Sequence, residues 1–284
     1  MLTYIKNISK TGHHDSPIKN FSSQDVYHSN LKDLHDIIVA PHSTLALQLL
    51  QLSQFFDPIL PEIRHIVEFK ADKQFKSIWP HTLRVISQTP NKLDIRWAAF
   101  FHDFGKPEAY SLIDNKVTFY NHEHISARIF RDFAKKTRIF NSRQFHKINY
   151  LIHNLGWIEQ YNRNWTDSAV RRFITEAGLF LDDLITLSMA DITTGNDEKK
   201  QTILNDIEHL KTRIKEVREK DERRRSILPK GIGFVILDMV DGDTQRIGPV
   251  KTLLEQKVRS GLISPNQDIV YYESHLKDIV NGKS

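Results

Sequence analysis

The chain has 284 residues, a formal net charge of +5 and no cysteine. Those totals exclude a disulfide framework and any thiolate metal site, and no apolar run reaches the roughly eighteen residues that a membrane span needs. The length suffices for one large domain or two smaller ones, and the mild positive charge suits an anionic substrate without by itself marking a nucleic-acid binder.

Residues 1–30 are rich in Ser, Asn and His, with Gly12 and Pro17 among them, and the composition predicts a poorly ordered polar arm. His13-His14-Asp15 reads there as solvated tail residues. Met1 to Lys19 lacks the apolar centre of a secretory signal, so a cytoplasmic location is expected. From Leu31 the pattern becomes helical. Leu45, Leu49, Leu50 and Leu52 recur at helix spacing after Pro41, Phe55 to Glu62 reads as a turn, and residues 63–70 form a short helix.

Trp79-Pro80 opens the helix that carries His81, proline being tolerated in a first turn. Asn91 is placed to cap a helix over 92–104, with Gly105 to stop it. On that helix Ile95, Ala98, Ala99 and His102 share a face, and Asp103 lies about a third of a turn away. A short strand-like piece falls within 111–120. Asn121 precedes a helix from His122 to about Lys136, Asn141 or Ser142 caps another, Thr166-Asp167 opens a third, and Leu181 to Ile192 is a fourth, with Leu184, Leu187, Ser188 and Asp191 on one face. Ile203, Ile207, Leu210, Ile214 and Val217 give 197–225 a narrow apolar seam. That seam packs either on the body or on a second subunit, and the second case implies a homodimer through residues 199–222. Arg223-Arg224-Arg225 reads as cations that offset the helix dipole at its end or, as the weaker alternative, as a patch for RNA, and Asp241-Gly242-Asp243 reads as a turn.

The chemistry centres on His102-Asp103-Phe104-Gly105-Lys106, with His81 upstream and Asp191 downstream. Neutral imidazoles and carboxylates bind divalent ions and leave positions open for water. His81, His102, Asp103 and Asp191 are the candidate ligands, and nickel, manganese, magnesium and iron all suit them. Lys106, one turn past Asp103, is placed to hold a phosphate oxygen. His122 reads as a further metal ligand, a phosphate contact or a leaving-group acid. Glu123 reads either as the carboxylate that orients attacking water or as favourable charge in a first helical turn. Arg128 and His153 are candidate substrate contacts.

The H…HD…D pattern resembles the HD superfamily of metal-dependent phosphohydrolases. A closer resemblance covers residues 33 to 265 and is to the part of bacterial CCA-adding enzymes (tRNA nucleotidyltransferases) and related poly(A) polymerases that follows the nucleotide-transferring head. It rests on Leu45-Ala46-Leu47-Gln48-Leu49-Leu50 leading to Ile59-Leu60-Pro61-Glu62, on Trp79-Pro80-His81-Thr82-Leu83, and above all on Arg96-Trp97-Ala98-Ala99-Phe100-Phe101-His102-Asp103-Phe104-Gly105-Lys106-Pro107. Phe119 to Ala127, Leu187 to Asp191, Gly248-Pro249 and Gly261-Leu262-Ile263 extend it.

The resemblance implies an all-α fold: an HD helical bundle over 71–195, neck-like helices over 31–70, and a helical tail over 196–284. It implies hydrolysis of 2′,3′-cyclic phosphodiesters and 2′-phosphomonoesters at nucleotide or RNA ends, with tRNA as a possible partner. Residues 1–30 hold no nucleotidyltransferase motif, so CCA addition is not expected of this chain alone. Such relatives often carry a histidine where this chain has Leu155. Either His153 substitutes from a neighbouring position or a second metal position is lost. A reading from a different class is a non-catalytic tRNA- or RNA-binding module, or the partner of a separately encoded head.

Overall fold

Amphipathic segments separated by caps and tight turns give an all-α chain. The computed structural model describes residues 2–13, 20–69, 77–114, 116–224 and 227–281. The chain forms two units, one running to Ile214 and the other from Lys215. Each is described by itself.

The first unit begins with α1 (Leu2–Thr11), α2 (Ser23–His28), α3 (Asp33–Val39), α4 (Ser43–Leu52) and α5 (Glu62–Glu68). The expectation of a poorly ordered arm over 1–30 is corrected by α1 and α2. Leu2, Ile5 and Ile8 form a buried stripe on α1, which packs on α3 and α4. Each such side chain contributes about 1.5–3 kcal/mol on burial, enough to order a segment whose average composition is polar. Lys6 adds ion pairs to Asp33 at 2.7 Å and Asp36 at 2.5 Å. Ser22 and Asp25 close a capping box at α2. His14 and Asp15 lie outside the described residues.

Next come α6 (Ile78–Gln88), α7 (Leu93–Phe101), α8 (Lys106–Ala109), β1 (Tyr110–Ile113), β2 (Lys116–Phe119) and α9 (His122–Thr137). The strands pair antiparallel, Tyr110 opposite Phe119. After them stand α10 (Ser142–Asn154), α11 (Asp167–Ala177) and α12 (Leu181–Asp191). Asn141 and Thr166 cap α10 and α11 through their side chains, as expected.

Helix α7 is the centre of this unit. It packs against α3, α6, α9, α10 and α12, and Trp97, Phe100 and Phe101 on it are fully buried. It is shorter than the expected 92–104, because His102 to Phe104 leave it as turns. Asn91 does not cap it; its carboxamide oxygen accepts a hydrogen bond from Arg96. Arg96 is buried and also donates to Ile38 O at 2.8 Å, Ala40 O at 3.1 Å and Ser43 Oγ at 3.2 Å. It thereby ties α7 to the junction of α3 and α4. Gly105 is a crossing point rather than a helix stop: a Cβ there would lie 2.1 Å from the carbonyl oxygen of His122.

Helix α13 (Asp197–Arg224) follows. The division between the units falls inside it. Its seam residues Ile207, Leu210, Ile214 and Val217 are buried and Ile203 is half-buried. The second unit then holds α14 (Ile232–Met239), α15 (Thr244–Arg259) and α16 (Ile269–Val280). They enclose a small core of their own around Ile236, Leu254, Tyr272 and Leu276. Asp241-Gly242-Asp243 is the expected turn, with Asp241 and Gly242 at positive φ and Asp243 capping α15.

Candidate metal centre

His81 sits on α6, His102 and Asp103 directly after α7, and Asp191 is the last residue of α12. Packing of α6 and α12 on α7 brings them together. His81 Nε2 lies 3.1 Å from His102 Nε2. Asp191 Oδ1 is 3.0 Å from the first and 3.4 Å from the second. Asp103 Oδ2 is 3.3 and 3.4 Å from the same two atoms.

The other nitrogens decide what these distances mean. His102 Nδ1 donates to Ala99 O at 2.7 Å, and His81 Nδ1 is hydrogen-bonded to the Thr193 hydroxyl at 2.9 Å. The neutral His102 ring therefore has a bare Nε2 lone pair, and the His81 tautomer with its proton on Nδ1 has one too, both aimed at each other and at two carboxylate oxygens. Asp191 Oδ1 is buried and has no hydrogen-bond partner. Two imidazole nitrogens and a carboxylate oxygen with no donor of its own, converging in this way, are the environment a cation completes. Ligands about 2.0–2.2 Å from one ion stand roughly 3–3.5 Å apart, which is the spacing found. The residues therefore fit a divalent ion. Among the described residues one group has all its ligand atoms within 4.8 Å of one another: His81, His102 and Asp191. Asp103 borders it, with Oδ2 shared between the imidazoles and Lys106 Nζ at 2.7 Å.

Without an ion, protons take its place. Burial alone would lower the His102 pKa, but Asp103 and Asp191 overcome it and carry it up to about 10. Burial opposes the ionised Asp103, yet His102 and Lys106 hold that carboxyl well below its ordinary range. Lys106 is likewise disfavoured by burial and restored by Asp103, which leaves its pKa raised.

The remaining candidates divide. His122 Nδ1 donates to Phe119 O at 3.0 Å, which points Nε2 at Asp103 Oδ1, 3.6 Å away. Glu123 Oε2 lies 3.3 Å from His122 Nδ1. A Cβ on Gly156 would come within 2.7 Å of Glu123 Oε1, so a glycine lets that carboxylate approach the turn after α10. Ser126, buried, donates to His102 O at 2.7 Å and accepts from Gly105 N–H at 2.8 Å, which fixes the turn carrying His102 and Asp103. Arg128 is not brought to the cluster; it pairs with Glu108 at 2.5 Å on an exposed face, where the nearest carboxylate captures it. His153 instead faces His124, ring centroids 4.0 Å apart, and is not in the metal-capable group.

A cavity of about 590 Å³ adjoins the centre, with Asp191 and Thr193 in its wall. Ile158, Glu159, Tyr161 and the face of α13 from Lys199 to Leu210 also line it. Glu159 and Thr193 are absent from the sequence-based candidates. The one signal for Thr193 is its place two residues after Asp191; Glu159 stands beside the apolar pair Trp157-Ile158. Enclosure raises the Glu159 carboxyl, Asp191 adds to the rise, and Lys106 opposes it.

No curated protein matches the chain. Residues 81–177 match the family model described as HD domain. The match begins at His81 and contains His102 and Asp103, while Asp191 lies beyond it. That match and the divalent-ion site together support an HD-superfamily member, a class that in general hydrolyses phosphate esters with a bound divalent metal.

Proposed function

We propose that this chain hydrolyses nucleotide or RNA-end phosphates, opening 2′,3′-cyclic phosphodiesters and cleaving 2′-phosphomonoesters. The observation that carries the reading is the cavity whose wall includes Asp191. It offers room for an organic group directly beside ligands suited to a phosphate-bound ion, and about 300–1,000 Å³ is usual for small-molecule sites.

His81, His102 and Asp191 would hold the ion, with Asp103 alongside. A divalent ion supplies Lewis acidity there, polarising a phosphoryl oxygen and making hydroxide available near neutral pH. Lys106, partly open to solvent next to Asp103, holds a second phosphate oxygen as a point charge. His122, its Nδ1 proton fixed on Phe119 O, presents Nε2 to the substrate and, once protonated, delivers that proton to the leaving oxygen. Glu123 restrains the His122 ring and accepts from attacking water. The buried Ser126–Gly105 contact keeps these groups in register.

The test is turnover by the purified full chain. The substrates are 2′,3′-cyclic AMP, 2′-AMP, 3′-AMP and bis-p-nitrophenyl phosphate, with nickel, manganese, magnesium or EDTA. Metal-dependent opening of the cyclic diester, lost in Asp103→Ala, is the expected result. Full activity of Asp103→Ala in metal-free buffer would sink the mechanism. Absence of turnover with metal bound would remove the activity.

A further inference from the structure

The cavity beside Asp191 combines three kinds of surface. Ile203 and Leu210 from α13 give an apolar wall, Tyr161 an aromatic ring, and Glu159 and Lys199 opposite charges. Tyr161 is held in place by a hydrogen bond between its hydroxyl and His209 Nδ1 at 2.5 Å and by an edge-on contact with Trp165. The carboxylate of Asp206, also in the lining, is already engaged by Arg163 at 2.8 Å. Among the described residues Glu159 makes no hydrogen bond or ion pair, and neither does the Lys199 ammonium. A preorganised ring, an apolar wall, one free acceptor and one free donor match a flat heterocycle with polar edges.

We propose that this cavity is a nucleobase pocket, and that the first half of α13 is the specificity wall of the enzyme. The inference rests on the phosphohydrolase reading above and names the part of the substrate that sits away from phosphorus. The ring of the base packs on Tyr161 and Ile203, a mode that tolerates any base because every base has a π face. An exocyclic amine of adenine or cytosine donates to Glu159, and a ring nitrogen or carbonyl accepts from Lys199. Uracil presents a carbonyl where those bases carry the amine, and that oxygen meets the Glu159 carboxylate unfavourably. The sequence predicts a seam on α13 but not this role: Lys199, Ile203 and Leu210 become a ligand surface only where α13 passes the end of α12.

The experiment compares 2′,3′-cyclic AMP with glycerol 1,2-cyclic phosphate, the same five-membered diester without base. It uses the full chain and the variants Ile203→Trp and Glu159→Gln. Ile203 is only half-buried, so a larger ring there fills the cavity without entering the core. The wild type should prefer the nucleotide in kcat/KM by at least about tenfold, the scale of losing one base-stacking contact. Ile203→Trp should erase most of that preference, chiefly through KM. Glu159→Gln should narrow the gap between cyclic AMP and cyclic UMP. Equal losses on both diesters, or no change in the preference, would overturn the pocket while leaving the phosphohydrolase reading intact. If the wild type turns over neither diester, that reading fails, and the pocket is judged by equilibrium dialysis of adenosine with metal-free protein. Binding weakened by Ile203→Trp keeps the pocket, and no binding of adenosine overturns it.

Discussion

His81 and His102 bring their Nε2 atoms within 3.1 Å of each other, each ring oriented by a hydrogen bond at its opposite nitrogen. Two lone pairs are stable at that distance only with a cation or a proton between them. Purified protein should therefore retain a divalent ion through desalting, and Asp191→Ala or His102→Ala should lose it, as read by elemental analysis. Thr193→Val leaves the ligands intact but frees the His81 ring. Metal affinity should fall about 10–100-fold, the usual cost of removing a partner that orients a ligand. Unchanged affinity in Thr193→Val would show that the helices alone fix the tautomer.

Lys106 is judged by kinetics. It lies 2.7 Å from Asp103 Oδ2 and is partly open to solvent. Lys106→Met should lower kcat/KM about 10²–10³-fold, comparable to removing one donor to a developing oxyanion, while metal retention persists. Arginine should not restore the rate, since a planar fork does not replace a compact ammonium. A variant with full activity would mean that Lys106 serves only to hold Asp103.

In metal-free protein the pH dependence has a definite sign. The His102 pKa stands at about 10 in the fold against an ordinary 6.5. Its contribution to stability is thus complete below pH 6.5 and is lost as pH rises towards 10. Thermal melts in EDTA should fall across that window, and His102→Gln should flatten the slope. Metal affinity runs the other way, rising with pH as protons cease to compete for the imidazoles. A melting profile that is flat from pH 6.5 to 10 in the wild type would contradict the arrangement.

Gly105 is required by a close approach rather than by its backbone angles. A Cβ there meets backbone, the His122 carbonyl oxygen, at 2.1 Å. Gly105→Ala should cost about 1–3 kcal/mol, as overpacking does, measured by urea unfolding. Because the displaced element carries His122 and Glu123, kcat should fall further than stability alone explains at saturating metal.

The N-terminal helix is open to a direct test. Ile5 is completely buried, and Ile5→Ala should cost about 2–5 kcal/mol. A substitution in an arm that packed on nothing would leave the melting temperature unchanged.

Much of the fold is written in local pattern. The Asn141 and Thr166 caps, the apolar stripes of α9 and α12 and the turn at Asp241-Gly242 depend on neighbours within a few residues, so they are legible without tertiary information. The metal-capable group is legible for another reason: His81, His102-Asp103 and Asp191 recur as a joint pattern on helical segments, which no one of them carries alone. What the sequence by itself determined is therefore the class of fold and the residues, His81, His102 and Asp191, that the structure gathers into a metal-capable group. Tertiary structure decided the rest. The stripe of α1 is only three residues and acquires meaning when α3 and α4 cover it. Arg96 becomes an anchor through carbonyls more than fifty residues away. Arg128 is drawn to Glu108, and His153 to His124, by which side chain happens to be nearest in space. Thr193 and Glu159 join the site because α12 ends beside α6 and the turn after α10, a crossing that no periodicity along the chain encodes.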